Sequence, residues 1–196
     1  MSNEGSFASF KSSRLLNETE FLNYATKEVK TANVIWIASH TPIMFFESEQ
    51  SSELEKNYNK ALQARFSNRE LITHYFMCEE CTTNKINNEI EDPIELANSL
   101  IEWSKKWSNN SNLYTYFVKR DIFPLESIWA VQRDQSISFA LIKLKYEGSN
   151  RAIWLFIKEI PEGIIDIFDS LRKNAGTLLS YLNGWLKTME NTQDLE

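Results

Sequence analysis

The sequence has few of the residues that usually announce a function. Two cysteines in 196 residues are too few for a disulfide framework. Five glycines form neither a Walker loop nor a G-x-G-x-x-G fingerprint, which excludes the common nucleotide-binding motifs. No apolar run reaches the ~18–20 residues of a membrane-spanning helix, and residues 1–13 lack the apolar core of a secretory signal. We therefore expect a cytoplasmic protein without a membrane span.

Clusters of basic residues are missing as well. The formal charge is −6, and sequence-independent binding to nucleic acid needs a basic surface, so a nucleic-acid partner is not expected. The hydrophobic fraction of 42% and the aromatic fraction of 13% are enough for one sizeable core. We expect a single domain over residues 14–189, with flexible tails at 1–13 and 190–196.

The most informative stretch present is the apolar run at 34–37. Four large apolar residues in a row predict a strand buried on both sides, with Trp36 enclosed. A polar loop opens where the strand ends, at Ser39, His40 and Thr41. Ligands of open α/β sheets bind at the carboxyl ends of central strands. These three residues are therefore candidate ligand contacts, although such residues also simply terminate strands.

The remaining pattern predicts an α/β fold. A strand, a helix and a strand between residues 33 and 78 predict a parallel pair, whereas period-two segments with short turns later in the chain predict antiparallel hairpins. Residues 79–91 read as an irregular polar loop, and a seven-turn helix is expected from 161 to 189. The predicted fold class is α/β, a mixed sheet with central parallel strands and helices on both faces.

The histidine and cysteine residues are candidates for a metal site, but the sequence evidence for that site is weak. Cys78 and Cys81 have the spacing of a zinc knuckle, and His40 ends the neighbouring strand, but a second Cys-x-x-Cys pair is absent. Ordinary burial of cysteine is the simpler interpretation. Redox use is disfavoured because the pair leads into a predicted loop rather than a helix, and because Glu79 and Glu80 oppose thiol ionisation. We expect no metal and no cofactor.

The loop after the first strand carries an apolar cluster. Ile43, Met44, Phe45 and Phe46 follow one another before two acidic residues. An exposed cluster of this kind would be an interaction patch for a partner. It could equally pack under the next helix as additional core.

The second half of the chain resembles a known family in its pattern of hydrophobic residues. The residues that carry the resemblance are Tyr116-Phe117-Val118-Lys119-Arg120, Phe123-Pro124, Trp129-Ala130-Val131-Gln132-Arg133-Asp134, Ala152-Ile153-Trp154-Leu155-Phe156, and Phe168-Asp169-Ser170-Leu171 with Ala175. Together with the order of elements over residues 18–186, they resemble one half of a phospholipase D-like domain. The similarity is to the non-catalytic versions that serve as sensor domains of some prokaryotic transcription regulators. The resemblance implies a homodimer, since such halves pair about a two-fold axis.

The catalytic motif of that family, His-x-Lys-x-x-x-x-Asp, is absent. With Asp134 on the motif aspartate, Ser127 takes the place of the histidine and Trp129 that of the lysine. A phosphohistidine mechanism needs both the nucleophile and the phosphate clamp. The resemblance therefore implies a degenerate member, with Ser127 and Trp129 as ligand contacts rather than catalytic groups.

Two functions follow from these observations. The first is a non-enzymatic regulatory or adaptor protein that acts by ligand sensing, dimerisation or protein binding. The alternative is a hydrolase with an unrecognised site near Ser39, His40 and Ser127.

Overall fold

The computed structural model describes residues 13–40, 52–89, 102, 112–124, 126–133, 136–144, 153–158, 162–177, 180–185 and 187. Most of both expected tails, Thr41 and the Ile43–Phe46 cluster lie outside the described residues. The strands are β1 (Ser13–Asn17), β2 (Val34–Ser39), β3 (Ile72–Cys78), β4 (Leu113–Val118), β5 (Ile128–Arg133), β6 (Ser136–Leu144) and β7 (Ile153–Ile157). The helices are α1 (Glu18–Thr31), α2 (Glu53–Ser67), α3 (Glu79–Glu89) and α4 (Glu162–Lys173), and residues 180–185 are also helical.

The seven strands form one mixed sheet. Their order is β1-β7-β6-β5-β2-β3-β4. Strands β2, β3 and β4 are parallel to one another, and the other neighbours are antiparallel. The parallel strands thus make up one half of the sheet, and β2 joins them to the antiparallel half through β5. The α/β class and the mixed sheet are confirmed.

Helices cover both faces because alternate strand residues point to opposite sides. Ile35, Ile37 and Tyr75 pack with α1 and α2 on one face. Ala38 and Phe76 pack with α4 on the other. Among the described helices, none is long and apolar enough to cross a membrane.

Trp36 is less enclosed than the apolar run predicts. Its side chain is only partly buried. Phe168 of α4 covers part of it, with 5.5 Å between the ring centres. Among the tryptophans of the described residues, Trp129 in β5 is the most buried, 2% exposed. The expectation that Trp36 is closed on both sides was therefore wrong.

Residues 79–89 form a helix, so the prediction of an irregular loop was wrong. Cys78 directly precedes α3, and its Sγ accepts the Cys81 N–H at 3.3 Å, the contact that an N-cap side chain makes. Glu79 and Glu80 place negative charge in the first turn, where the helix dipole favours it. Thr82 Oγ1 donates to the Cys78 carbonyl at 2.7 Å. The helix has no apolar stripe, so periodicity could not identify it.

The long C-terminal helix is interrupted, contrary to prediction. Gly176 and Phe117 exchange backbone hydrogen bonds of 2.7 and 3.0 Å, which satisfies the outer edge of β4. Thr177 then begins the second helical stretch, since its hydroxyl accepts the Ser180 N–H at 3.1 Å. The apolar seam divides between the two faces of the sheet. Ile164, Phe168 and Leu171 lie on one, and Tyr181, Leu182 and Trp185 on the other.

Strand β1 was not anticipated from the sequence. It pairs with β7, with Leu15 opposite Leu155, and it includes Ser13, which the predicted tail contained. Asn17 ends the strand and caps α1: its side chain accepts the Glu20 N–H while Glu20 accepts the Asn17 N–H, both at 2.9 Å. This reciprocal capping box fixes the turn from strand to helix.

A buried arginine holds the βαβ unit together. Arg65 of α2 is 2% exposed, and its guanidinium makes five hydrogen bonds, the number of N–H donors that it has. The acceptors are the Thr73 hydroxyl and the carbonyls of Val29, Ala32, Asn33 and Ile72, at 2.6–3.2 Å. Burial lowers its pKa to about 10, so it stays charged at neutral pH. One side chain thereby joins α2 to the end of α1 and to the starts of β2 and β3.

Replacing Arg65 with methionine should lower the free energy of unfolding by about 3–5 kcal/mol, because buried carbonyls lose their donors. The matched control is Arg69→Met at an exposed position, where we expect a change within about 0.5 kcal/mol. Urea denaturation of the three proteins measures both. Equal losses in the two variants would contradict the role assigned to Arg65.

Candidate functional site

A cavity lies where β2 ends and β5 begins. Its volume is about 270 Å³, close to the lower limit of small-molecule pockets. Side chains of α1, α2, β3 and β7 supply apolar and aromatic walls. The polar side chains on its surface include Ser39, His40, Asn59, Glu126, Ser127 and Lys143.

Four of the five predicted ligand residues line this cavity. They are Ser39, His40, Ser127 and Trp129; Thr41 is outside the described residues. The antiparallel register pairs Ala38 of β2 with Ile128 of β5, so the carboxyl end of β2 meets the residues that lead into β5. Non-local pairing thus brings together two segments that the sequence separates by almost 90 residues.

Buried polar atoms without a partner concentrate around the same cavity. Over the described part of the chain, the buried side-chain atoms that lack a hydrogen bond are Asn59 Oδ1, Glu126 Oε2, Trp129 Nε1 and Trp154 Nε1. All four residues line the cavity. Trp129 Nε1 has the Tyr58 hydroxyl as a neighbour but does not reach it in hydrogen-bonding geometry. Such atoms are rare in native interiors and costly, so two acceptors and two donors at one cavity indicate a place for a polar guest.

Three of these four residues, Asn59, Glu126 and Trp154, were not predicted from the sequence. Asn59 is 1% exposed on the face of α2 that also buries Leu62 and Phe66. An amide at an otherwise apolar position of the helical face is therefore the sequence feature that could have identified Asn59 as a candidate ligand contact. Trp154 carried no such signal, because its role depends on where β7 packs.

One wall of the cavity is held in a defined orientation. Phe21 of α1 stacks on Trp154 with ring centres 3.7 Å apart and planes within 4°. Lys143 Nζ lies 6.0 Å from the centre of the Trp154 ring, within the range of a cation–π contact. The Lys143 N–H also donates to the Ser127 carbonyl at 2.9 Å. The backbone of Lys143 is thus joined to the residue before β5, and its ammonium lies beside the indole of Trp154.

His40, Cys78 and Cys81 meet beside the cavity. The parallel register pairs Ser39 with Met77, which brings the ends of β2 and β3 side by side. His40 Nδ1 is 3.4 Å from Cys81 Sγ, and the two sulfurs are 2.6 Å apart. All three ligand atoms lie within 4.8 Å of one another.

The thiols lie at a helix start, which corrects the argument made from the sequence. Cys78 does precede a helix, the position where thiolates are stabilised. Burial nevertheless raises the pKa of the Cys78 thiol to about 12, and the adjacent Cys81 thiol adds to the effect. Glu80, whose Oε2 is 4.0 Å from Cys78 Sγ, opposes ionisation as expected. A free Cys78 is therefore a poor nucleophile.

The second histidine is separate from this cluster, as predicted. His74 Nδ1 lies 3.3 Å from the Tyr116 hydroxyl. Its ring stacks between Trp36 and Tyr114, with ring centres at 3.9 and 4.9 Å. Burial, and secondarily the charge of Arg172, lowers its pKa from 6.5 to about 4.

This shift predicts a pH-dependent stability. Between pH 6.5 and 4 the unfolded chain protonates His74 whereas the folded protein does not, so the free energy of unfolding falls as pH drops through that window. Because the ring is partly exposed, we expect about 1–2 kcal/mol. His74→Gln removes this component. The difference in unfolding free energy between variant and wild type should therefore shift in favour of the variant by that amount between neutral pH and about pH 4.5. A difference independent of pH would contradict the shift, since the other ionisable groups are the same in both proteins and their contributions cancel.

The same cavity gathers the residues of the hydrolase alternative. Ser39, His40, Ser127 and the carboxylate of Glu126 all line it. In a serine–histidine pair, an acid normally holds Nδ1 while Nε2 faces the serine. Here Nδ1 of His40 is in contact with the Cys81 thiol. That contact does not supply the charge that orients a catalytic imidazole.

No protein-family model matches the chain, and a search of curated proteins finds no significant match.

Proposed function

We propose that this protein is a non-enzymatic regulatory or adaptor protein that senses a small molecule in the cavity between β2 and β5. The observation that carries the proposal is the set of four buried, unpartnered polar atoms on the residues that line one cavity. A chain under selection only for stability would have replaced them with apolar groups. Binding sites are where such local costs are retained.

The lining defines the chemistry of the molecule. Asn59 Oδ1 and Glu126 Oε2 require hydrogen-bond donors, whereas the indole nitrogens of Trp129 and Trp154 require acceptors. Phe21 and Leu22 add apolar walls. The expected ligand is small and mainly apolar, with donors and acceptors on its rim, as nucleobases and aromatic amino acids have.

The phospholipase D-like resemblance supports the same location. It aligns Ser127 and Trp129 with the catalytic histidine and lysine of the family, and both line the cavity. A serine and a tryptophan there can contact a ligand but cannot form a phosphohistidine or clamp a phosphate. In this proposal a former catalytic pocket serves as a sensor site.

The partner of the sensor is proposed to be a second copy of the chain in the cytoplasm. Two-fold pairing is what the resemblance implies, and the apolar sequence Ile43–Phe46 is the candidate interaction patch for it.

Asn59→Leu separates ligand binding from folding. The substitution replaces an amide whose oxygen is buried and unpartnered with an apolar group of similar size. The free energy of unfolding without ligand should therefore stay the same or rise by up to about 2 kcal/mol. Thermal-shift screening against nucleosides, nucleobases and aromatic amino acids should reveal stabilisation of wild type that the variant loses.

The matched control for this experiment is Asn57→Leu, an exposed position on the same helix. It should keep the response to the compounds and change stability by less than about 0.5 kcal/mol. Destabilisation of Asn59→Leu by more than about 2 kcal/mol would mean that the amide has a protein partner, and the assignment of a ligand contact would fail.

The hydrolase alternative is tested by activity. We expect no turnover of p-nitrophenyl esters or of bis(p-nitrophenyl) phosphate, because the nucleophile and the phosphate clamp of the family motif are replaced. Turnover that disappears in Ser127→Ala but persists in Ser136→Ala, at an exposed strand position, would establish the enzyme and refute the sensor.

A further inference from the structure

Three side chains with sulfur or nitrogen ligand atoms converge from three parts of the fold. His40 follows β2, Cys78 ends β3, and Cys81 lies in the first turn of α3. Within the described residues they form the group of histidine, cysteine and acidic side chains whose ligand atoms are close enough to hold a metal ion. This convergence follows from the parallel pairing of β2 and β3 and is independent of the cavity's ligand.

The distances are compatible with a tetrahedral centre after a small adjustment. Bonds of about 2.3 Å to sulfur and 2.0–2.1 Å to nitrogen place nitrogen and sulfur about 3.6 Å apart, and two sulfurs about 3.8 Å apart. His40 Nδ1 and Cys81 Sγ are 3.4 Å apart, close to the first value. The two sulfurs, at 2.6 Å, must separate by rotation of a thiol. Cys81, which is only partly buried, has room for it.

The surroundings favour a cation over free thiols. Glu80 Oε2 lies 4.0 Å from Cys78 Sγ and is held by the Arg120 N–H at 2.8 Å. Glu79 lies in the same turn and is partly buried. Two carboxylates beside two sulfurs disfavour thiolate charge unless a cation balances it. The N–H of Cys81 already donates to Cys78 Sγ, which suits a coordinated thiolate.

We propose that His40, Cys78 and Cys81 form a binding site for a thiophilic divalent cation, with Zn²⁺ as the best fit. On binding, each thiol releases its proton to solvent as a zinc–sulfur bond forms, and His40 binds as the neutral imidazole through Nδ1. Three protein ligands leave a fourth position for water, as in zinc sites that keep an open coordination position. His40 also lines the cavity, so the metal would set the position of one of its walls.

Cobalt is the probe for this site, because Co²⁺ reports thiolate ligands by its charge-transfer absorption whereas Zn²⁺ is colourless. The reduced, metal-free chain should bind one Co²⁺ with that absorption, and one equivalent of Zn²⁺ should abolish it. Cys81→Ser and His40→Gln should each weaken Co²⁺ binding by at least about tenfold. His74→Gln should leave it unchanged. Cys78 is fully buried, so Cys81→Ser and His40→Gln decide the outcome even if a Cys78 variant does not fold.

Three results would overturn the proposal. The first is an absence of charge-transfer absorption in the fully reduced protein. The second is unchanged Co²⁺ affinity in His40→Gln, which would remove the histidine from the site. The third is a chain whose two thiols are joined in a disulfide, shown by a loss of two mass units, and which after reduction still binds no Co²⁺.

Discussion

The fold depends on one buried cation whose every donor is used. The Arg65 guanidinium bonds to the end of α1 and the starts of β2 and β3, so those segments cannot shift without breaking several hydrogen bonds. A buried charge is costly unless it is satisfied in this way. Since β2 and β3 are fixed at their starts and run parallel, their carboxyl ends are also fixed relative to each other. The position of every candidate site residue on those strands follows from this constraint.

The cavity and the sulfur–imidazole cluster both lie at the carboxyl ends of β2 and β3, the strands whose starts Arg65 holds. The cavity forms where β2 meets β5, and the sulfur–imidazole cluster forms where β2 meets β3. His40 belongs to both, since it lines the cavity and contacts Cys81. Carboxyl ends of parallel strands are where α/β sheets bind ligands. In this chain the antiparallel neighbour β5 adds Ser127 and Trp129 to that edge, which a purely parallel sheet would not supply.

Local sequence patterns predicted much of this architecture. Contacts between segments far apart in the chain could not be predicted from such patterns. The run at 34–37 identified β2, because this signal depends on neighbouring residues alone. Helix α3 was missed since its N-terminal cap is a cysteine thiol and it has no apolar stripe. The interruption at Gly176 was missed because its backbone bonds to Phe117 of β4 instead of continuing the helix. Hydrophobic periodicity carries no information about such a contact. The cavity depends on the pairing of β2 with β5, which no local pattern specifies.

We propose that the cavity between β2 and β5 is a preformed binding site and not a packing defect. The most direct measurement is a high-resolution crystal structure of the protein as purified, read at the cavity. We expect density for a discrete small molecule that donates to Asn59 Oδ1 and accepts from Trp154 Nε1. A cavity closed by rearranged side chains, with those two atoms hydrogen-bonded to protein groups, would contradict a preformed binding site.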